Sequence, residues 1–227
     1  NALGSASRGL PQAPDRGAWI AVMSSQLQEA DRRLAGWRNL SGSPMQPREA
    51  YEAVSRVVPA DSCFTVDGNR SLAQAQHSLT PARPLSWFDP GWNGLIGGSL
   101  GLAIGVQLAQ PERPVLALAS DTSFGFAGME LETCARLRIP VVCLVANNDG
   151  NCGNTRDRQW LPEGAEPVSC YTPGAAYHRI AEALGVAGRE LSRPEKVAEA
   201  VQQAIELRQP ACLNVRMDPH APHPGFW

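Results

Sequence analysis

The chain has 227 residues, enough for one self-supporting domain of ordinary size or for two small ones. Twenty Lys and Arg against 22 Asp and Glu leave a net charge of −2, which excludes a bulk electrostatic case for binding nucleic acid or an anionic membrane. Hydrophobic residues at 43% and charged residues at 19% exclude a disordered chain, and 21 Gly with 19 Pro imply frequent turns and places where backbone approaches something closely.

Residues 1–16, rich in Gly, Ser, Ala and Pro, read as a mobile lead-in. Ile20, Met23, Leu27, Ala30, Leu34 and Trp37 then recur at alternating spacings of three and four, a single helical stripe that needs burial in its own domain or on a partner subunit. A Gly/Ser/Pro linker, Ser41–Pro47, precedes a helix expected from Pro47 to Val58, with proline in its first turn. The expected organisation is a lead-in, helix and linker over 1–46, a domain over 47–217 and a tail over 218–227.

Ser62–Val66 reads as a strand that stops in the turn Asp67-Gly68-Asn69-Arg70, followed by a helix from Arg70 to about Leu79. Between Pro90 and Pro111 there is no charged residue, and Gly97, Gly101 and Gly105 repeat every four positions. A membrane-spanning helix needs about 20 predominantly apolar residues, and Asn93, Gln107, Gln110 and the glycines dilute this run. It reads instead as a glycine-faced helix over roughly 94–110, packed beside another backbone or a ligand. Val115–Ala119 is a continuous apolar run of the kind a parallel sheet buries on both faces. Helical spacing follows over Phe124–Arg138, then a second buried strand over Val141–Ala146 that ends at Asn147-Asn148-Asp149-Gly150. Helices over Ala175–Leu184 and Pro194–Leu207 and a strand over Cys212–Met217 complete the alternation. Strand and helix in turn predict an α/β fold, three layers α/β/α around a mostly parallel sheet, with ligands outside the carboxyl ends of the strands.

Six cysteines lack any C-x-x-C pair, and Cys63, Cys143 and Cys212 lie in apolar strands, so they read as small buried hydrophobes in a reducing compartment, the cytoplasm. His77, His178, His220 and His223 lack metal-ligand spacing, and no signal-peptide pattern is present. Chemistry concentrates instead at the strand ends. Asp121 and Asn148 close two buried strands with one helix between them, and a carboxylate, an amide oxygen and a loop carbonyl are the hard donors that a small divalent cation such as Mg²⁺ prefers. Thr122 and Ser123 open a helix whose N–H groups suit a phosphate. On spacing alone, ordinary turn residues at strand ends explain the same letters equally well.

The run SDTSFGFAGMELETCARLRIPVVCLVANNDG resembles the cofactor motif of thiamine diphosphate-dependent enzymes, in which G-D-G is followed by a strand-bounded helix and N-N. DPGWNGLIGGSLGLAIG resembles the family's glycine-rich helix and TVDGNRS its diphosphate-side loop, while FGFAGMELET is most similar to the 2-hydroxyacyl-CoA lyases and oxalyl-CoA decarboxylases. The resemblance implies that Asp121, Asn148 and the Gly150 carbonyl hold Mg²⁺. Thr122 and Ser123 would face the diphosphate beside Ser120, with Asn69 and Arg70 on its other side. It further implies that the Gly94 carbonyl accepts from the aminopyrimidine and that Ile96 wedges the cofactor into its reactive V shape, the two positions closest to catalysis. Ser120 and Thr122 stand where the family has glycine, so the turn around Asp121 is expected to have lost conformational freedom.

Nothing resembles the pyrimidine-binding domain, whose glutamate activates the cofactor. The implied protein is therefore the diphosphate-binding subunit of a split lyase, decarboxylase or carboligase acting on a small keto or acyl-CoA substrate, or a fragment of such an enzyme. A partner polypeptide would supply the glutamate, in a heterotetramer of two of each chain. Alternatives are an acetolactate-synthase-like or sulfopyruvate-decarboxylase-like subunit, and a catalytically silent scaffold of the same fold. Glu130 and Glu132 read as helix surface. His77 reads as a surface or interface residue, with a substrate role the sharper option. The tail from His220 to Trp227 reads as a frayed end or a lid.

Overall fold

The computed structural model describes residues 15–89, 91–151, 161–165 and 167–222. Most of the lead-in, Cys152 and the last five tail residues lie outside them. The chain divides into two compact units, one ending at Asn39 and the other starting at Leu40. The first contains helix α1, Gly17–Arg38. Within it Glu29 pairs with Arg32 and Arg33 at 2.8 and 3.0 Å. Of the apolar stripe, Ile20, Met23 and Leu27 are exposed.

The second unit is a six-stranded sheet of order β2-β1-β3-β4-β6-β5, parallel throughout. The strands are β1 (Cys63–Val66), β2 (Trp87–Phe88), β3 (Val115–Ser120), β4 (Val141–Asn147), β5 (Ala187–Leu191) and β6 (Ala211–Arg216). The helices are α2 (Pro47–Ser55), α3 (Asn69–Ser78), α4 (Ser99–Ala109), α5 (Asp121–Ala127), α6 (Leu131–Leu137), α7 (Tyr177–Ala183) and α8 (Pro194–Leu207). Pro47 starts α2 behind a capping box in which the Glu49 carboxylate accepts from the Gln46 N–H at 2.9 Å.

The continuous apolar strands divide their side chains by alternation. Phe64, Val66, Leu116, Leu118, Val142, Leu144, Leu213 and Val215 face one core with Tyr51 and Val54 of α2, Ala75 of α3 and Val197 and Val201 of α8. Val115, Ala117, Val141, Cys143, Val145 and Cys212 face the other, with Leu100 and Ala103 of α4, Phe124 of α5, Leu131 and Cys134 of α6 and Ala181 of α7. This is the three-layer α/β/α arrangement. After β1 the chain runs outward to β2, and α3 lies on one face. After β3 it turns to the other face in α5. The connections leaving β1 and β3 therefore run to opposite faces of the sheet, and the switch point between them, at the carboxyl ends of the strands, is the crevice position at which open α/β sheets bind ligands.

Differences from the sequence reading have local causes. The helix expected over 94–110 begins only at Ser99, because Gly94 (φ +57°) and Gly97 (φ +92°) are left-handed and bend the chain before it. The helix expected over Phe124–Arg138 is two, α5 and α6, joined by a 3₁₀ turn at Gly128–Glu130. A Cβ at Gly128 would meet the Phe124 ring at 2.6 Å, so glycine is required where the ring folds back. Strands β2 and β5 were not expected. β2 has two residues, and β5 reads Ala-Gly-Arg-Glu-Leu with only Leu191 buried, so neither carries an apolar pattern. Cys63, Cys134, Cys143 and Cys212 are buried free thiols, and no helix among the described residues is long and apolar enough to cross a membrane.

Leu144, buried in β4 at the centre of one core, gives a direct test of that layer. Leu144→Ala is expected to lower stability by about 2–5 kcal/mol, read from the midpoint of urea denaturation with an unchanged m-value.

Candidate functional site

Asp121 follows β3 immediately and is 1% exposed. Burial pushes its carboxyl up to about 6, and the amides of Gly150 and Thr122 hold it back only in part. Its Oδ1 accepts from the Thr122 N–H at 2.7 Å and its Oδ2 from the Gly150 N–H at 3.0 Å. The loop after β4 thus folds onto the end of β3. The side-chain amide of Asn148 completes the cluster, its terminal atom lying 3.1 Å from the Gly150 carbonyl oxygen and 3.2 Å from Asp121 Oδ2. With its oxygen placed there, three oxygens converge with no proton between them, the donor set of a hard divalent cation. With its nitrogen there, the same atoms close as hydrogen bonds. The residues therefore fit Mg²⁺ in one amide orientation and satisfy each other in the other. Among the described residues no three His, Cys, Asp or Glu side chains come together as a metal site, so cation chemistry rests on this mixed set.

On the crevice side, Ser120 caps α5: its Oγ accepts from the Ser123 N–H at 3.0 Å and lies 2.7 Å from the Ser123 hydroxyl. Its backbone, at φ −74° and ψ 166°, is ordinary extended chain, so the serine in place of a glycine is accommodated without strain. The close approach falls on Gly68 instead. Gly68 has φ +84°, and a Cβ there would lie 2.5 Å from Ser120 Oγ. Thr122, also in place of a glycine, is held in the helix with its hydroxyl 3.0 Å from the Tyr171 hydroxyl. The N–H groups of Thr122 and Ser123, proposed as phosphate donors, are satisfied by Asp121 and Ser120, and an anion here would exchange for those partners.

The remaining site residues are placed around this centre. Asn69 and Arg70 begin α3 beside Gly68. The Arg70 guanidinium donates to the Ala221 carbonyl, while Gln74 donates to Pro222 O at 3.4 Å and the Asp218 N–H to Met45 O at 2.8 Å. The described part of the tail is thus tied across the start of α3. Gly94 and Ile96 are exposed between β2 and α4, in open surroundings. Glu132 pairs with Arg136 at 2.9 Å on the surface of α6, and His77 is exposed near the end of α3.

Two participants, Asn214 and Arg216, lacked a local signal in the sequence, and each is partnered by a residue of the Asn147–Gly150 cluster. Asn147 and Asn214, both fully buried, bond to each other at 3.0 Å and both donate to Ala175 O. Asp149 is forked by Arg216. Each pair joins residues 67 positions apart, and only the asparagine pair leaves a hint, as polar residues among apolar strand neighbours.

With this geometry in view, the chain belongs to the thiamine diphosphate-dependent enzymes. The family described as "Thiamine pyrophosphate enzyme, C-terminal TPP binding domain" matches residues 68–215. It stands close to the 2-hydroxyacyl-CoA lyase branch. It is 32% identical over 207 residues to human 2-hydroxyacyl-CoA lyase 2, covering 87% of this chain and 32% of that protein. It is 34% identical over 169 residues to the 2-hydroxyacyl-CoA lyase of Oryza sativa subsp. japonica, covering 73% and 28%. A probable acetolactate synthase of Mycobacterium bovis is 30% identical over 181 residues, covering 80% and 33%. Among solved structures, the Rhodococcus jostii RHA1 thiamine diphosphate-dependent 4-hydroxybenzoylformate decarboxylase superimposes with a TM-score of 0.68 at 25% identity, covering 78% of this chain and 33% of that one. The chain spans about a third of the length of the curated relatives it matches.

Two expectations follow from the site. Gly68→Ala should cost about 1–3 kcal/mol from strain and collision, and adding Ser120→Gly should recover the collision part but not the cost of the left-handed backbone, as read by denaturant titration. With divalent cations chelated, a carboxyl raised from 3.8 to about 6 favours the fold fully below pH 3.8 and loses that contribution as pH rises through 6. The thermal midpoint should therefore fall across that window, and Asp121→Asn should flatten this part of the profile.

Proposed function

We propose that this chain is the diphosphate- and Mg²⁺-holding part of a thiamine diphosphate-dependent enzyme of the 2-hydroxyacyl-CoA lyase type, making or breaking a carbon–carbon bond next to a carbonyl. The observation that carries the reading is the convergence of Asp121 Oδ2, the Asn148 amide and the Gly150 carbonyl at the ends of two adjacent buried strands. Asp121 would give the cation its charge, and burial makes that charge strongly favour a cation over water. Ser120, Thr122 and Ser123 on one wall and Asn69 with Arg70 on the other would hold the diphosphate across the β1/β3 crevice. Gly94 and Ile96, on the exposed turn before α4, would receive and bend the aminopyrimidine end. When bound, the cofactor supplies a thiazolium carbon that adds to the substrate carbonyl and takes up the electrons of the cleaved bond.

The activating glutamate would come from a pyrimidine-binding domain on another polypeptide, in a cytoplasmic heterotetramer of two of each chain. Support comes from the surface beside the crevice. Leu95, Ile96, Leu102 and Leu108 are exposed, Phe126 is 75% and Met129 65% exposed, and Gly101 and Gly105 of α4 have nothing within 4 Å of a built Cβ. Gly97 touches Phe126, joining the two parts of this face. An apolar face with glycines along a helix admits close packing of a second domain. Four buried free thiols suit a reducing compartment. The similarity to an acetolactate synthase favours one second reading, condensation of a 2-keto acid, with the same metal and cofactor grip.

Calorimetry with thiamine diphosphate and Mg²⁺ tests the grip. Asp121→Ala should abolish Mg²⁺-dependent cofactor binding while circular dichroism stays that of the wild type. Retained binding would overturn the cation assignment. Cleavage of a 2-hydroxyacyl-CoA by the chain with its co-purifying partner, against acetolactate formation from pyruvate, separates the two reactions.

A further inference from the structure

We infer that Arg216 is a positioning residue for the cation loop: its fork onto Asp149 fixes the left-handed turn that presents the Asn148 amide and the Gly150 carbonyl to Asp121. This rests on the proposed function, since it concerns how the same donors are held.

Parallel register brings the two residues together. Arg216, the last residue of β6, lies opposite Asn147, the last of β4, so its side chain starts beside the loop. Nη1 reaches Asp149 Oδ1 and Nη2 reaches Oδ2, both at 2.8 Å. The side chains are 23% and 12% exposed, whereas every other ion pair among the described residues has a partner at least 41% exposed. A bidentate pair of this kind constrains geometry as well as charge.

Asp149 needs such a constraint. Its φ of +60° lies in the region that non-glycine residues avoid, and all its polar groups serve to hold it there. Oδ1 also accepts from the Gly174 N–H at 3.0 Å, its own N–H donates to Asn147 Oδ1 at 3.2 Å, and its carbonyl accepts from the Tyr171 N–H at 2.9 Å. The carboxylate adjoining Asn148 is thus turned away from the cation donors and occupied by Arg216, so it acts on the site through backbone shape. One residue later the chain places the Gly150 N–H 3.0 Å from Asp121 Oδ2.

Mg²⁺ demands near-ideal octahedral geometry, whereas Ca²⁺ accepts looser and more numerous ligands. A loosened turn should therefore penalise Mg²⁺ selectively, and loss of a nearby positive charge alone would move both cations the same way. In the full chain with saturating thiamine diphosphate, titrated by calorimetry, Arg216→Met should weaken Mg²⁺ by at least about tenfold and Ca²⁺ by less than about threefold. Arg216→Lys, which keeps the charge and loses the fork, should shift the Mg²⁺/Ca²⁺ ratio in the same direction, and it carries the test if the methionine variant does not fold. Adding Asp149→Gly, which tolerates the left-handed turn without an anchor, should restore the ratio towards that of the wild type. Equal loss for both cations, or none, would overturn the inference while leaving the proposed function standing. A wild type that binds neither cation with the cofactor would sink the proposed function, and this inference with it.

Discussion

A carboxylate buried at the end of a parallel strand is the constraint from which the site takes its shape. Asp121 sits where water cannot reach it, and burial of an ionised group without partners is among the costliest arrangements in a protein. The surrounding backbone responds by bringing two N–H groups to it, one from its own helix and one from the loop after β4. Those bonds do not cancel the burial, which still pushes the carboxyl up to about 6. What remains is a demand for positive charge. The Asn148 amide and Gly150 carbonyl stand where a cation that met the demand would also need them. Structure and chemistry are linked here by one electrostatic imbalance.

The same centre shows how serine and threonine stand at motif glycine positions without backbone strain. The motif position at Ser120 is extended, so its side chain needs room and no unusual dihedral. The room comes from across the crevice, where Gly68 lacks the Cβ that would collide with it. In return the hydroxyl caps α5. Thr122 finds a tyrosine hydroxyl 49 residues away. Both substitutions consume hydrogen-bonding capacity that glycines would leave open, so a bound diphosphate would exchange contacts here and not simply add them.

A domain with its own two-layered core can still present an unfinished surface. The β-sheet buries both faces within residues 40–222, yet α4 and α5 expose leucines, a phenylalanine and open glycines beside the crevice. Folding does not require these residues to be covered, and the proposed partner domain would cover them. The helix of residues 17–38 also leaves Ile20, Met23 and Leu27 exposed, in a separate unit.

The amino-acid sequence by itself determined the α/β alternation, the buried strands and the polar clusters at their ends. These depend on local properties: β-branched apolar runs, prolines at helix starts and turn residues one after another. It did not mark β2 or β5, which are held by neighbours and not by pattern, nor the bend at Gly94–Gly97 that delays one expected helix and the turn at Gly128 that splits another. Within the site, Asp121 and Asn148 were legible as members of one cluster 27 positions apart, because the family motif is contiguous along the chain. Arg216, Asn214 and the trade between Gly68 and Ser120 were decided only in three dimensions, by parallel register and by the crossing of the chain between β1 and β3. A residue's chemistry belongs to its side chain, whereas its partner is set by which strands lie side by side. Asp149 and the arginine that holds it stand 67 positions apart along the chain.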